Sequence, residues 1–136
     1  MKRIAVVFGL VLTLVAAARW SGYAQQDDPR FTGRSDTLDA KDLSVSRRSF
    51  EPGARSAWHS HDKGQLIFVE QGRARVQRRG EPIKELGVGQ SDYTPPNVAH
   101  WHGAVPDQRF VQIALGFDGE IKWMEKTTDT EYAGKK

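Results

Sequence analysis

The chain contains no cysteine. Disulfides are therefore excluded, and we expect the fold to depend on core packing, a bound metal or subunit assembly. Attachment to a membrane through a lipidated cysteine is excluded for the same reason. The apolar run from Ile4 to Ala18, broken by Gly9 and Thr13, is also shorter than the roughly 20 residues that a membrane-spanning helix needs.

The N-terminus instead has the features of a secretory signal peptide. A basic start at Lys2 and Arg3 precedes the apolar run, and small residues at Gly22 and Ala24 offer a cleavage site. We therefore predict a signal peptide over residues 1–24 and a secreted or periplasmic protein. Its removal takes away three basic residues and no acidic one, so the net charge of +3 falls to zero. A neutral mature chain predicts no nucleic-acid partner and no membrane association after cleavage.

The mature chain has the pattern of an all-β domain. Residues 25–42 are polar and predict a leader or edge segment. Residues 43–126 contain many short strand-like stretches separated by Gly, Pro and Asn turns, which predicts a sandwich or barrel with room for a ligand in its mouth. Residues 127–136 form a tail, where Thr128 and Glu131 fit a capping box and predict a single helical turn.

All four histidines occur in two His-x-His pairs, His59 with His61 and His100 with His102. Residues two apart on a strand face the same side, so each pair can point both imidazoles into one cavity. The amide oxygen of Gln65 follows shortly after the first pair. A cluster of neutral nitrogen donors with a nearby oxygen predicts a site for a divalent transition metal.

The stretch from Leu43 to Phe50 predicts a strand that carries two consecutive arginines, Arg47 and Arg48. One arginine must face each side. If Phe50 is buried, then Arg48, Ser46 and Ser44 face the interior with it, whereas the opposite parity would bury Val45 and Arg47. We favour the first arrangement. The basic cluster further on predicts a solvated strand face; it comprises Arg73, Arg75, Arg78 and Arg79.

Both histidine stretches resemble the two sequence motifs of the cupin family. Gly53, His59, His61 and Gly72 match the first motif, with Gln65 where most cupins have Glu. The second motif matches at Gly89, Pro95 and His100, with Asn97 at its glycine position and Ala104 at its final Asn position. Asn97 sits where a positive φ is expected, which Asn tolerates. The resemblance implies a single jelly-roll β-barrel.

A narrower resemblance is to single-domain cupins associated with carboxymuconolactone decarboxylases, among them the manganese-dependent hydroxynitrile lyases. It includes the stretches Phe50–His61 and His100–Ala104, and the tail from Trp123 to Tyr132. It implies that the metal ligands are His59, His61, Gln65 and His100. Manganese or iron(II) is the first expectation, with nickel, cobalt, copper or zinc as alternatives.

The chain departs from those lyases at three positions. Gln112 stands in place of a histidine, Gly116 in place of a glutamine, and Arg48 where a small or apolar residue is usual. These changes argue against cyanohydrin cleavage specifically. An interior Arg48 would favour an anionic substrate.

Three functions remain open. In the first, the protein is a metal-dependent lyase, isomerase or oxygenase; His102, which the motif does not use as a ligand, transfers protons, and Arg48, Ser46 and Gln112 bind the substrate. In the second, it captures a small molecule on the ion without catalysis. In the third, the metal is structural only. The resembling fold usually dimerises, so a homodimer is expected.

Overall fold

The computed structural model describes Arg30, Thr32 and residues 37–135. The predicted signal peptide and most of the polar leader therefore lie outside the described residues. The chain divides into two compact units, Met1–Leu38 and Asp39–Lys136, and the fold described here is that of the second unit. Among the described residues, no helix is long and apolar enough to cross a membrane.

Two antiparallel sheets face each other, which confirms the predicted all-β jelly roll. One sheet has four strands in the order β1-β8-β3-β6, and the other has five in the order β5-β4-β7-β2-β9. Between residues 37 and 135 the elements are β1 Leu43–Phe50, β2 His59–His61, β3 Gln65–Gly72, β4 Ala74–Arg78, β5 Lys84–Leu86, β6 Ser91–Thr94, β7 His100–Ala104, β8 Phe110–Phe117, β9 Ile121–Trp123 and α1 Asp129–Tyr132.

The burial of Phe50 decides which face of β1 points inward. Its ring stacks on Phe110 of β8 with the centroids 5.6 Å apart, and both residues are buried. Side chains alternate along a strand, so Arg48, Ser46 and Ser44 share the inward face, as favoured from the sequence. Because β1 is the edge strand of its sheet, these three residues remain exposed.

The hydrophobic core fills one end of the space between the sheets. It is made by apolar residues of both sheets: Phe50, Ile67, Val69, Ala74, Val76, Leu86, Ala104 and Phe110. Burying apolar surface stabilises a fold by about 25 cal/mol per Å². The apolar side chains of this layer therefore contribute much of the free energy that holds the two sheets together. The other end is left for polar side chains.

A second cluster lies on the outer face of the five-stranded sheet, where Trp101 alternates with the inward histidines of β7. Trp101 packs with Trp58 and with Tyr132 of α1, and the Tyr132 hydroxyl donates to the Ala104 carbonyl at 2.6 Å. The predicted capping box is confirmed, since Thr128 and Glu131 bond reciprocally at the start of α1. The tail is thus tied to the back of the strand that carries His100.

The prediction of a solvated basic face is wrong for Arg78. Arg78 follows Ala74 and Val76 at two-residue spacing on β4, so its side chain enters the interior with theirs. Its Nη2 donates at 2.7 Å to Asp92, a buried residue of β6 in the facing sheet. The other arginines of the cluster are also ion-paired: Arg73 and Arg75 with Glu85, and Arg79 with Glu125.

Candidate metal centre

Three histidines converge on one point in the space between the sheets. His59 of β2 pairs directly with His100 of β7, and their ring centroids are 4.3 Å apart. His61 is two residues after His59 on β2 and therefore lies on the same face, with its ring 5.2 Å from that of His59. One ring nitrogen from each of the three falls within 4.8 Å of the others, which is the spacing that a shared ion requires.

Backbone carbonyls hold two of these rings in the form that binds metals. His59 Nδ1 donates to the Ala57 carbonyl at 2.9 Å, and His100 Nδ1 donates to the Val98 carbonyl at 3.1 Å. A carbonyl can only accept, so the proton of each neutral ring is on Nδ1 and the lone pair is on Nε2. Such a second hydrogen bond typically orients a histidine ligand. The Nε2 atom of His61 is buried without a partner in the described structure.

Gln65 approaches this group from the opposite sheet. It begins β3, is buried, and places its Oε1 3.1 Å from His100 Nε2. Because Nδ1 of His100 already carries the ring proton, both facing atoms present lone pairs. Two acceptors in contact are stabilised when they share a cation. The residues therefore fit a divalent metal bound by His59, His61, His100 and the neutral oxygen of Gln65.

Electrostatics keep the rings neutral and ready to bind. Burial lowers the pKa of His59 and of His61. Burial, together with the nearby His59, lowers the pKa of His100 to about 4. A neutral imidazole offers its lone pair to an ion without first losing a proton, so the lowered pKa values extend metal binding toward more acidic pH.

His102 stands apart from the three converging rings. It lies two residues beyond His100 on the same inward face of β7 and is buried. Its ring is 5.2 Å from that of His59 and contacts the edge of Phe50 at 5.7 Å. Its Nδ1 is buried and has no hydrogen-bond partner among the described residues. Burial holds its pKa well below the usual value, and the nearby His59 lowers it further.

The three residues predicted to bind substrate lie along one wall of the interior. Gln112 of β8 is buried, and its Oε1 has no partner among the described residues. Arg48 is directly opposite Gln112 in the β1–β8 register, and Ser46 is opposite Ala114. Ser46 also lines a cavity of about 120 Å³ that reaches His61 and Gln65.

Two neighbours of the centre were not predicted from the sequence to belong to the site, although Ser44 was expected to face the interior. Trp123 of β9 pairs with His59, and its ring lies 4.7 Å from the imidazole although the residue is 62% exposed. Ser44 lines the cavity, and its Oγ would be 2.8 Å from a Cβ placed on Gly116. The pairing of β9 with β2 was the missing information, because nothing in the short stretch Ile121–Trp123 indicates its partner.

Comparisons with known proteins agree on one family. A family model described as a cupin domain matches residues 46–115. An (R)-mandelonitrile lyase from Granulicella tundricola is 37% identical over 118 residues, covering 85% of this chain and 87% of that protein.

Two solved structures have a similar fold. A cupin-like protein from Thermotoga maritima has a TM-score of 0.67 and 40% identity, covering 69% of this chain and 74% of its own. The DMSP lyase DddQ from Ruegeria pomeroyi has a TM-score of 0.58, covering 66% of this chain and 47% of its own. At 18% identity, this second likeness shows the fold alone.

The lowered pKa of His100 predicts that the metal-free protein loses stability in mild acid. Between pH 6.5 and about 4 the unfolded chain binds a proton at His100 that the folded chain does not, so stability falls as pH falls through this window. The loss from His100 is at most about 3 kcal/mol, and above the window the residue contributes none.

Urea unfolding in the presence of a chelator, at several pH values from 7.5 to 4.5, measures this loss. The matched variant is His100→Gln, which should have a flatter profile between pH 6.5 and 5, where ordinary carboxylates do not yet titrate. Identical slopes for the two proteins in that window would contradict the assignment.

Proposed function

This chain belongs to the cupin family, as a small cupin similar to hydroxynitrile lyases, and we propose that it is an exported metal-dependent enzyme acting on a small oxygenated molecule. The reaction is of the lyase, isomerase or oxygenase type. The observation that carries the proposal is the meeting of three neutral imidazoles from one sheet with the Gln65 oxygen from the other. A site built only to join the sheets would not require that all four donors be neutral.

The ligand set proposed for the ion is His59, His61, Gln65 and His100, with manganese or iron(II) as the expected metal and nickel, cobalt, copper or zinc as alternatives. All four donors are uncharged, so the ion keeps its full positive charge. When bound, such an ion acts as a Lewis acid that polarises an oxygen or nitrogen of the substrate.

His102 is proposed to move a proton to or from the substrate. Its ring is close to His59 but outside the converging group, and its Nδ1 lacks a partner, so this nitrogen is free to hydrogen-bond a bound molecule. The Phe50 ring contacts His102 from the core side and keeps water away from it. Ser46, Arg48 and Gln112 are proposed to orient the substrate along the β1–β8 wall.

The mandelonitrile lyase relative supports lyase chemistry in this family, but the substrate is expected to differ. Gln112 is amide-bearing and cannot act as the protonatable group that a histidine would supply there. Gly116 leaves open space that Ser44 partly fills. Arg48 adds a positive charge. These three changes favour a polar or anionic substrate over a neutral cyanohydrin.

Removing the Gln65 oxygen should weaken metal binding without unfolding the protein. We expect Gln65→Ala to lower metal affinity by at least about tenfold, since even the supporting groups around a metal contribute that much. The matched control is Gln71→Ala, an exposed residue of the same strand, which should bind metal normally.

Elemental analysis of the purified proteins, and titration with manganese after chelation, measure the effect. Equal metal content in Gln65→Ala, Gln71→Ala and the unchanged protein would contradict the proposed ligand set. His59→Ala should retain no stoichiometric metal.

Replacing His102 should separate catalysis from metal binding. His102→Gln retains volume and a polar atom, and we expect it to keep its metal and its melting temperature while turnover falls by about 100-fold. The assay is a screen of small carbonyl, hydroxy-acid and diketone compounds on the metal-loaded protein, with cyanide release from mandelonitrile and iron-dependent oxygen uptake included.

A metal-loaded protein that binds members of this panel without forming product would instead favour the alternative, a non-catalytic small-ligand-binding cupin. Full turnover by His102→Gln would remove that residue from the mechanism and leave the metal site intact.

Export and assembly form a further part of the proposal. The signal-like N-terminus supports a secreted or periplasmic protein whose mature chain begins near Gln25. Among the described residues, the eight-residue edge strand β1 has unpaired backbone groups along one side, which could pair with a second copy of the protein to form a homodimer. N-terminal sequencing of the exported protein and light scattering of the purified form test these points. A retained N-terminus or a monomer at micromolar concentration would contradict them.

A further inference from the structure

Arg48 differs from the other arginines of the described domain in its lack of an acidic partner. Between residues 37 and 135, each remaining arginine forms an ion pair: Arg47 with Glu70, Arg55 with Asp129, Arg73 and Arg75 with Glu85, Arg78 with Asp92, Arg79 with Glu125 and Arg109 with Glu51. Arg48 has no hydrogen bond or ion pair with any described residue.

The position of Arg48 makes this difference informative. It lies on the inward face of β1 between buried Phe50 and Ser46, at the open edge of the sandwich. An exposed cation without an acidic partner is available to an incoming anion, and the planar guanidinium matches a carboxylate with two parallel hydrogen bonds.

Gln112 provides a second, independent observation. It is 2% exposed and its Oε1 accepts no hydrogen bond from any described residue. A buried acceptor without a donor costs about 1–3 kcal/mol, so such an atom is normally matched by a bound group. Gln112 is directly across from Arg48 in the β1–β8 register, and the donor it lacks can therefore come from the molecule that Arg48 holds.

We propose that the substrate is a small hydroxy acid, whose carboxylate is bound by Arg48 and whose hydroxyl group donates to Gln112 Oε1. This assignment rests on the proposed function for the location of the site and names its substrate class. A neutral molecule of the same shape would displace water from the Arg48 guanidinium without forming an ion pair with it. The desolvation cost of the charge would then not be offset. The Ser46 hydroxyl, on the same face of β1, is a further donor for the carboxylate.

The first experiment compares two ligands that differ only in charge. Mandelate and mandelamide share the ring and the hydroxyl, but the amide replaces the carboxylate. Calorimetric titration should show mandelate binding at least about tenfold tighter, as expected for a charge-assisted pair, and a rise in salt from 50 to 500 mM should remove much of the difference. Equal affinities, or no binding of either ligand, would overturn the proposal.

The adjacent arginines supply a matched pair of variants. Arg48→Met should abolish the preference for mandelate and leave mandelamide binding within about twofold. Arg47→Met removes an equal charge from the next residue, which faces outward and pairs with Glu70, and it should keep the preference. A similar loss in both variants would show a general field effect and overturn the assignment to Arg48.

Phenylacetate, which has the carboxylate but no hydroxyl, tests Gln112. Mandelate should bind more tightly than phenylacetate to the unchanged protein, and Gln112→Leu, which has a similar volume and no acceptor, should remove that advantage. If Gln112→Leu does not fold, the test is the ratio of the mandelate and phenylacetate affinities of the unchanged protein. Equal affinities for the two ligands would overturn the role of Gln112.

Each titration is run on metal-free and on manganese-loaded protein, so that the two proposals fail separately. Protein that takes up no metal but prefers mandelate in an Arg48-dependent manner would refute the metal-dependent enzyme and retain the carboxylate site. Protein that binds manganese stoichiometrically but does not distinguish mandelate from mandelamide would refute the hydroxy-acid assignment alone.

Discussion

The site depends on the separation of two facing sheets. Gln65 is on the four-stranded sheet and His100 on the five-stranded sheet, yet their side-chain atoms are 3.1 Å apart. Sheets that pack face to face lie about 10 Å apart, a distance that a glutamine and a histidine together can span. A slip of β2 or β7 by a single residue against its neighbouring strands would turn its imidazoles to the outside, because side chains alternate along each strand.

Packing and charge maintain this separation from different sides. The stacked rings of Phe50 and Phe110 fill the interior below the histidines, and the ion pair of Arg78 with Asp92 links the sheets on the side of β4 and β6. Breaking a buried pair by removing one partner costs about 3–5 kcal/mol. The cavity opens on the opposite side, between the edge strands β1 and β9, where Ser46 and Ile121 both line it. The fold thus combines a closed apolar end with an open polar one.

Several features could be predicted because they depend on residues close in sequence. The two-residue spacing of His59 with His61 is sufficient to place both rings on one face of a strand. The capping box at Thr128 and the positive φ of 62° at Asn97 are also local. Arg78 was predicted to face solvent because arginine generally does, although the alternation along β4 points its side chain inward. Its buried partner, Asp92, is on another strand, so no pattern of neighbouring residues indicates the ion pair.

The sequence by itself determined which residues are chemically suited to hold a metal and the all-β character of the fold, because both follow from residue types and from alternation over short stretches. The burial of Phe50 against Phe110, a contact between two strands, decided that Arg48 rather than Arg47 shares the inward face of β1. Only the tertiary structure decided that Gln65 meets His100, that Trp123 covers His59, and that Arg48 has no acidic partner while its neighbour Arg47 has one. These are contacts between strands far apart in the chain, and strand pairing is set by the packing of the whole domain rather than by any local pattern of residues.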